Sequence, residues 1–598
     1  MMKWRHVFSF PNLALGFLLI FGASRPFVAN AATIVVNNGS DLGVPGLCNL
    51  RQAIVSHNEK VYVFPSGCAV GDGHDTISLE PVGDTIDLGS PLNPIVNGTL
   101  VIRPGLAKRG CFNLRQAAYM TVRKGAAVSL LDISIVVNGA EPRSIIDNDG
   151  GSVVVKGPCL YSNGSGRGAK TSVGGVLHNR NGGSATMSAK FENNSASEKG
   201  GAIYIDSGTV EVGGSTGSSS ADNTSFSDNS SNQGGAIYLN SGTLNIENKI
   251  SFSGNSSSQG GGAIYVNSGA VTINDFLFGP IMFTGNSSSR GGAIYLNGGT
   301  TLAVKSSNYA LVRNRADGSG GAIYSNGANV TLSRSDFRFV DASLGFNSAV
   351  TGSAIYSAGG QLSIDGGEIN NNSSSGSGGA IVVSDIKPPA PAMITRSYFH
   401  DNSAGGNGGA IYALNGSTLN LSANTFTNDR ASGLGGSVYA DTLSNLNVLN
   451  STFVGAVNRE GIVVTSGLAN VVFSTIVGAN LGVGSIPTTR LSNSILREVK
   501  CSAIVDDGLN LQFQSTGCPG SIPATNPDLD PRFLENNGGP TPTIALRPDS
   551  PAIGAIAIGD CIDQNNKPVT TDQRGFGRPD PSDPSHCDIG AYEFGATP

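Results

Sequence analysis

Carboxylates are the first residues to weigh for chemistry. Two of them about 5–10 Å apart can cleave a glycosidic bond, and acids that gather a calcium ion beside a basic residue can drive polysaccharide elimination. Acids are sparse here, with 43 Asp and Glu among 598 residues. Asp365 and Glu368 flank a Gly-Gly pair, Asp385 stands near Lys387, and His400 precedes Asp401. Scattered in this way, they read as isolated, solvated turn residues, and His178 reads as a surface histidine. The eight cysteines show no C-x-x-C or Cys/His zinc spacing, so neither a metal nor a cofactor is expected. No nucleophile–base pair or phosphate loop stands in a supporting context.

Recognition chemistry, by contrast, recurs. Tyr204, Tyr238, Tyr265, Tyr295, Tyr324, Tyr356, Tyr412 and Tyr439 all occupy one position of a repeated phrase. A tyrosine offers a flat apolar ring with a polar tip, suited to sugar rings or to protein partners. The same row also has a purely structural reading, because stacked aromatics stabilise the outer face of a parallel sheet. Val382 interrupts the row.

The phrase is G-G-A-I-Y. It stands at 200–204, 234–238, 261–265, 291–295, 320–324 and 408–412, with looser copies at 174–178, 352–356, 378–382 and 435–439. Copies recur about every 29 residues, a period that signals a solenoid or array. Ahead of most copies runs an apolar residue followed three later by Asn: Phe191/Asn194, Phe226/Asn229, Phe252/Asn255, Phe283/Asn286, Leu311/Asn314, Ile369/Asn372 and Phe399/Asn402. Between the two lies a third apolar run, such as Thr243-Leu244-Asn245-Ile246. Three short strands per repeat, separated by Gly, Asn and Ser turns, give a right-handed parallel β-helix of the pectin-lyase-like kind, an all-β fold. No coil can bury its apolar side chains alone, so the coils must stack.

Alternation along each strand assigns the faces. Ile203, Ile237, Ile264, Ile294, Ile323, Ile355, Ile381, Ile411 and Val438 point inward, joined two residues on by Ile205, Leu239, Val266, Leu296 and Val383. The tyrosines then point outward, the Phe of the other phrase forms an inward stack, and its Asn forms an inward or turn-capping amide ladder. Asp206 and Asp441 share one outward position but lie eight coils apart, about 38 Å at about 4.8 Å per coil, so they cannot act together.

Four segments follow: a signal peptide at 1–31, an N-terminal cap with the first coils at 32–165, the repeats at 166–500, and a C-terminal cap at 501–598. Lys3, Arg5 and His6, the apolar run 13–23 and Ala29-Asn30-Ala31 make the export signal. Export makes the cysteines readable as disulfides. Proximity suggests Cys48–Cys68, Cys111–Cys159, Cys501–Cys518 and Cys561–Cys587, although sequence alone does not fix connectivity. A net charge of −6 without a basic stripe argues against nucleic acid, and no apolar stretch after the signal is long enough to span a membrane.

Three stretches carry resemblances. Cys48-Asn49-Leu50-Arg51-Gln52-Ala53-Ile54, apolar at helical spacing, resembles the CSLREA motif of exported bacterial proteins, with Gln52 in place of Glu. Cys111-Phe112-Asn113-Leu114-Arg115-Gln116-Ala117 echoes it later in the chain. GGAI together with FxxN resembles the passenger region of chlamydial polymorphic membrane proteins, a family of exported adhesins. Nothing after the repeats looks like that family's translocating barrel. Asn526-Pro527-Asp528, Asp572-Gln573-Arg574-Gly575, Arg578-Pro579 and Cys587-Asp588-Ile589-Gly590-Ala591-Tyr592-Glu593 are similar in order to the choice-of-anchor Q domain. In a bacterium, as these resemblances imply, Asn-x-Ser/Thr triplets such as Asn255-Ser256-Ser257 are turn residues.

Two functional readings result. One is an exported, cell-surface or outer-membrane, adhesin-like or structural protein that binds extracellular glycans or host proteins through its repetitive surface. The other is a polysaccharide lyase or glycoside hydrolase on the same scaffold.

Overall fold

The computed structural model describes residues 32–597, apart from 81–82, 107–109, 138–142, 164–170, 214–223, 275–279, 307, 335–342, 442, 456–459, 465–466, 483–488, 521, 523–524 and 531–533. The signal-peptide segment lies outside the described residues. Parallel strands stack coil upon coil into a β-solenoid of about 13 turns. The GGAIY strands form one parallel sheet of 14 strands, running from Met120–Arg123 to Asn480–Leu481. The aliphatic run and the Phe strand belong to a second, bent sheet, because long strands such as Ser184–Glu192 and Ala392–His400 span both.

A third sheet adds a strand that the sequence reading lacks. Short serine-rich strands such as Ser230–Gln233 and Ser256–Gly260 pair across ten coils, so most repeats have four strands instead of three. They carry no apolar alternation, the only signal by which the other strands were read. Main-chain pairing with the coils on either side builds them.

Register is direct. Ile203 pairs with Ile237 and Tyr204 with Tyr238, and the match continues from coil to coil. The inward isoleucine column, including Val438, exposes 1% or less at every member. The glycine pair divides its task. Gly200 has φ of 60°, and a Cβ on Gly201 would lie 2.1 Å from the Gly235 carbonyl oxygen of the next coil. The first glycine therefore makes the turn, and the second lets adjacent backbones approach.

At the N-terminal end, helix α1 (Leu50–Glu59) buries Leu50, Ala53, Ile54 and His57 over the first strands, Thr33–Val36 and His74–Leu79. Asn49 caps it and Gln52 closes a capping box. The echo at 111–117 is not helical: Phe112–Gln116 is a strand pairing with Thr85–Leu88 and Ile133–Val136. Four disulfides join Cys48–Cys68, Cys111–Cys159, Cys501–Cys518 and Cys561–Cys587. Ladder strands continue to Ile504–Asp506 and Leu511–Phe513, beyond residue 500. The segment after them folds back along the flank of the last coils, where Ile544, Leu546, Ile556 and Ile589 share a core with Phe473 and Ile495. Among the described residues, no helix is long and apolar enough to cross a membrane.

Candidate functional site

Three ladders result from stacking identical positions. Inside, Phe191, Phe226, Phe252 and Phe283 stack at centroid separations of 4.6–4.9 Å, and Phe399, Phe426 and Phe453 at 4.6–4.7 Å. Beside them runs a buried amide ladder through Asn194, Asn229, Asn255, Asn286, Asn314, Asn347, Asn372 and Asn402. Asn286 shows the pattern. Its amide Nδ2 donates to the Phe252 carbonyl at 3.0 Å and to Asn314 Oδ1 at 2.9 Å. Its own Oδ1 accepts from the main chain and side chain of Asn255. Asn255 and Asn286 are fully buried, so the asparagine of the Asn255-Ser256-Ser257 triplet is a rung of this ladder and is not accessible in the folded chain.

Sequence reasoning missed two rungs. Asn347 follows Leu344 by three residues, and Asp429 follows Phe426 by three. Asp429 ends the ladder, its Oδ1 accepting from Asn402 at 2.9 and 3.0 Å. Its Oδ2 is buried without a hydrogen-bond partner. By the ladder's register, that oxygen faces the place where each asparagine donates to a carbonyl, here that of Phe399. Burial pushes the carboxyl up to about 8, so it is protonated at neutral pH.

The outer ladder is the tyrosine row. Tyr238, Tyr265, Tyr295, Tyr324 and Tyr356 stack at 4.5–5.2 Å with ring planes within 18°. Tyr204 and His178 continue it at a tilt, and Tyr412 and Tyr439 form a separate pair. Stacking occupies the ring faces. Tyr238, Tyr265, Tyr295 and Tyr439 expose 9% or less, while Tyr204, Tyr324, Tyr356 and Tyr412 are only partly buried. Burial raises the phenol pKa of Tyr238, Tyr265, Tyr295 and Tyr356. Lys199 lies over the Tyr238 ring at 4.9 Å. Two residues on, Asn240 donates to Asp206 and Asn267 to Asn240, forming an exposed-side amide ladder. Tyr204 donates its hydroxyl to Asp206 at 3.2 Å, and Tyr412 to Asp441 at 3.5 Å. Asp206 is thus tied to the first tyrosine of the row and Asp441 to the first ring of the separate pair.

The acids read as isolated turn residues prove to be joined across coils, which corrects that expectation. His400 Nε2 lies 2.5 Å from Glu368 Oε1, and its Nδ1 lies 2.8 Å from Asp401 Oδ2. Burial opposes the charge on this imidazole, but the two carboxylates outweigh it and raise its pKa. Hydrogen bonds from His400 hold Glu368 and Asp401 below the usual carboxylate range. Asp365 is clamped by Arg396 and accepts from Thr395 at 2.8 Å. Residues 30 or so apart in sequence meet here because the coil length brings them to adjacent strands. His178 likewise has company, since Asp147 lies 3.9 Å away and is held by Arg180 at 2.8 Å. Among the described residues, no group of three or more His, Cys, Asp or Glu is placed to hold a metal ion.

The C-terminal motifs converge on one buried network. Arg574 bonds Asp572 and lies 3.7 Å over the Tyr592 ring, while Arg578 pairs with Glu593 at 2.8 Å with both side chains fully buried. Gln573 donates to Thr425 and accepts from Thr452, and the Ala591 amide donates to Thr475. These residues clasp the C-terminal segment onto an outward threonine column of the solenoid.

The chain is a parallel β-solenoid built from short Gly-Gly-Ala-Ile and Phe-x-x-Asn repeats. Its segments 188–206, 223–240, 249–267, 280–297 and 396–414 match the Chlamydia polymorphic membrane protein (Chlamydia_PMP) repeat. Neither the curated proteins nor the solved structures contain a significant match.

Proposed function

We propose that this is an exported, surface-exposed solenoid that acts by binding, in the manner of an adhesin, with extracellular glycans or host-cell proteins as partners. The polymorphic membrane protein repeats support an outer-membrane or surface location, and four disulfides fit an oxidising compartment. The observation that carries the reading is the outward face, where one set of side chains recurs coil after coil while the nearby acids are engaged by cations, amides or hydroxyls. Within the tyrosine row, contact with a partner falls to the partly exposed rings Tyr204, Tyr324, Tyr356 and Tyr412. Tyr238, Tyr265, Tyr295 and Tyr439 serve as the sealed support between and beside them.

The test is binding of the secreted chain to glycan arrays and cultured host cells, run beside an oligogalacturonide cleavage assay. Saturable binding without cleavage is expected. Turnover that disappears on Glu368→Gln or Asp147→Asn substitution would replace this reading with an enzymatic one.

A further inference from the structure

The outward column of the tyrosine sheet begins before Tyr204. Strand register aligns Thr121 with Asp147, Asp147 with His178 and His178 with Tyr204. In the first coils the column therefore carries a hydroxyl, a carboxylate and an imidazole where later coils carry phenols. These residues line a cavity of about 600 Å³, together with Leu92, Tyr119, Arg143 and Ser172. That volume falls within the range of small-ligand sites, about 300–1,000 Å³.

The cavity is built on fixed backbone. Its outer wall is held because the Leu92 amide donates to the Tyr119 carbonyl and the Ile95 amide to the Thr121 carbonyl, each at 2.9 Å. His178 packs its ring against Tyr204 at 5.0 Å. Both oxygens of Asp147 accept from Arg180, at 2.8 and 2.9 Å, which fixes the carboxylate. Even so, Asp147 and His178 keep 30% and 24% of their side-chain surface open.

The chemistry of this lining narrows the ligand. Leu92 and Tyr119 offer an apolar wall, and Asp147 accepts hydrogen bonds. Burial lowers the His178 pKa, so its imidazole is neutral at neutral pH and presents one donor and one acceptor. A sugar ring combines C–H faces with hydroxyls that both donate and accept, and it matches such a lining. Arg180 engages both Asp147 oxygens and His178 is neutral, so this part of the column carries no unpaired charge and suits a neutral sugar. We propose that this cavity is a binding site for the end of a neutral saccharide, with His178 and Asp147 as its hydrogen-bonding residues. The site deepens the binding reading and rests on it.

Saturation-transfer NMR and calorimetry on the full chain test the proposal, with cellobiose, lactose and N,N′-diacetylchitobiose as neutral probes and digalacturonate as the charged one. Binding of at least one neutral probe is expected. His178→Ala and Asp147→Asn should each weaken it by about tenfold or more, equivalent to about 1.4 kcal/mol. His178→Tyr restores the residue of the later coils, so it should keep the melting temperature while losing the sugar. Met282→Ser, an exposed position on the Phe strand Ile281–Thr284 and outside the tyrosine row, should leave sugar binding unchanged. Failure of every neutral probe, binding of digalacturonate alone, or full binding by the His178 variants overturns the site. Should the chain still bind cells in any of those cases, the pocket alone falls and the binding reading stands.

Discussion

Asn286 and Tyr295 lie on the same coil, the first sealed inside and the second facing out, and they answer to different constraints. Asn286 is tied to the coils before and after it through donors and acceptors that no water can replace. Its row keeps an amide at every rung from Asn194 to Asn402 and then closes with an acid. Tyr295 is held by ring contact with Tyr265 and Tyr324, and its row accepts His178 at one end and Val382 in the middle. Equal spacing thus produces an inner ladder that the fold depends on and an outer one with room for substitution.

Substitutions can break or sharpen that contrast. Asn286→Ala should be the most damaging, because it strands the buried amide groups of Asn255 and the Phe252 carbonyl. A loss of about 4 kcal/mol is expected, at about 1–3 kcal/mol per unsatisfied group, read as a lower urea midpoint. Asp429→Asn should act in the opposite direction. The Asp429 carboxyl titrates at about 8 in the fold against an ordinary 3.8. Between those values the folded chain holds a proton that the unfolded chain lacks, so stability falls as pH rises through the window. Asparagine removes this penalty and completes the ladder, and a gain of roughly 3 kcal/mol above pH 8.5 is expected. Glu593, raised to about 7 by burial, adds a slope of the same sign, so the urea midpoint of the variant is compared with the parent at pH 5 and pH 8.5. An unchanged difference between the two pH values would refute the protonated terminus.

On the outer row, Tyr265→Leu keeps apolar bulk and loses two ring contacts, with an expected cost of about 1 kcal/mol in urea unfolding. Val382→Tyr should have the smallest effect. It bridges Tyr356 and Tyr412, and a gain of about 0.5 kcal/mol is expected from the new stacking. A large loss would mean that Val382 is required by packing.

How much of this was legible in the sequence follows from what periodicity can report. The inward isoleucines and phenylalanines repeat in type and spacing, so their faces and stacking were readable. The serine strands such as Ser256–Gly260 were not, because nothing apolar marks them. The pentapeptide Asn-Leu-Arg-Gln-Ala shows the limit of local reading. At 49–53 it starts α1, where Asn49 and Gln52 keep a capping box despite departing from the Ser and Glu of the motif that the stretch resembles. At 113–117 the same letters leave a strand whose Leu114 points into the core, fixed by partners on both sides and by the Cys111–Cys159 bridge next to it. The Glu368–His400–Asp401 chain was hidden because its contacts depend on coil length, which varies with insertions. Aspartate in place of asparagine at 429 could have been found by extending the Phe-x-x-Asn count one rung.

The partition between a supporting interior and a binding exterior is tested most directly on one variant, Tyr204→Ser with Tyr356→Ser and Tyr412→Ser. Host-cell binding and urea unfolding are measured on the same preparation. The account expects a folded solenoid, less stable by about 1 kcal/mol per ring, whose cell binding falls by about tenfold or more. Undiminished binding by the folded variant would contradict it.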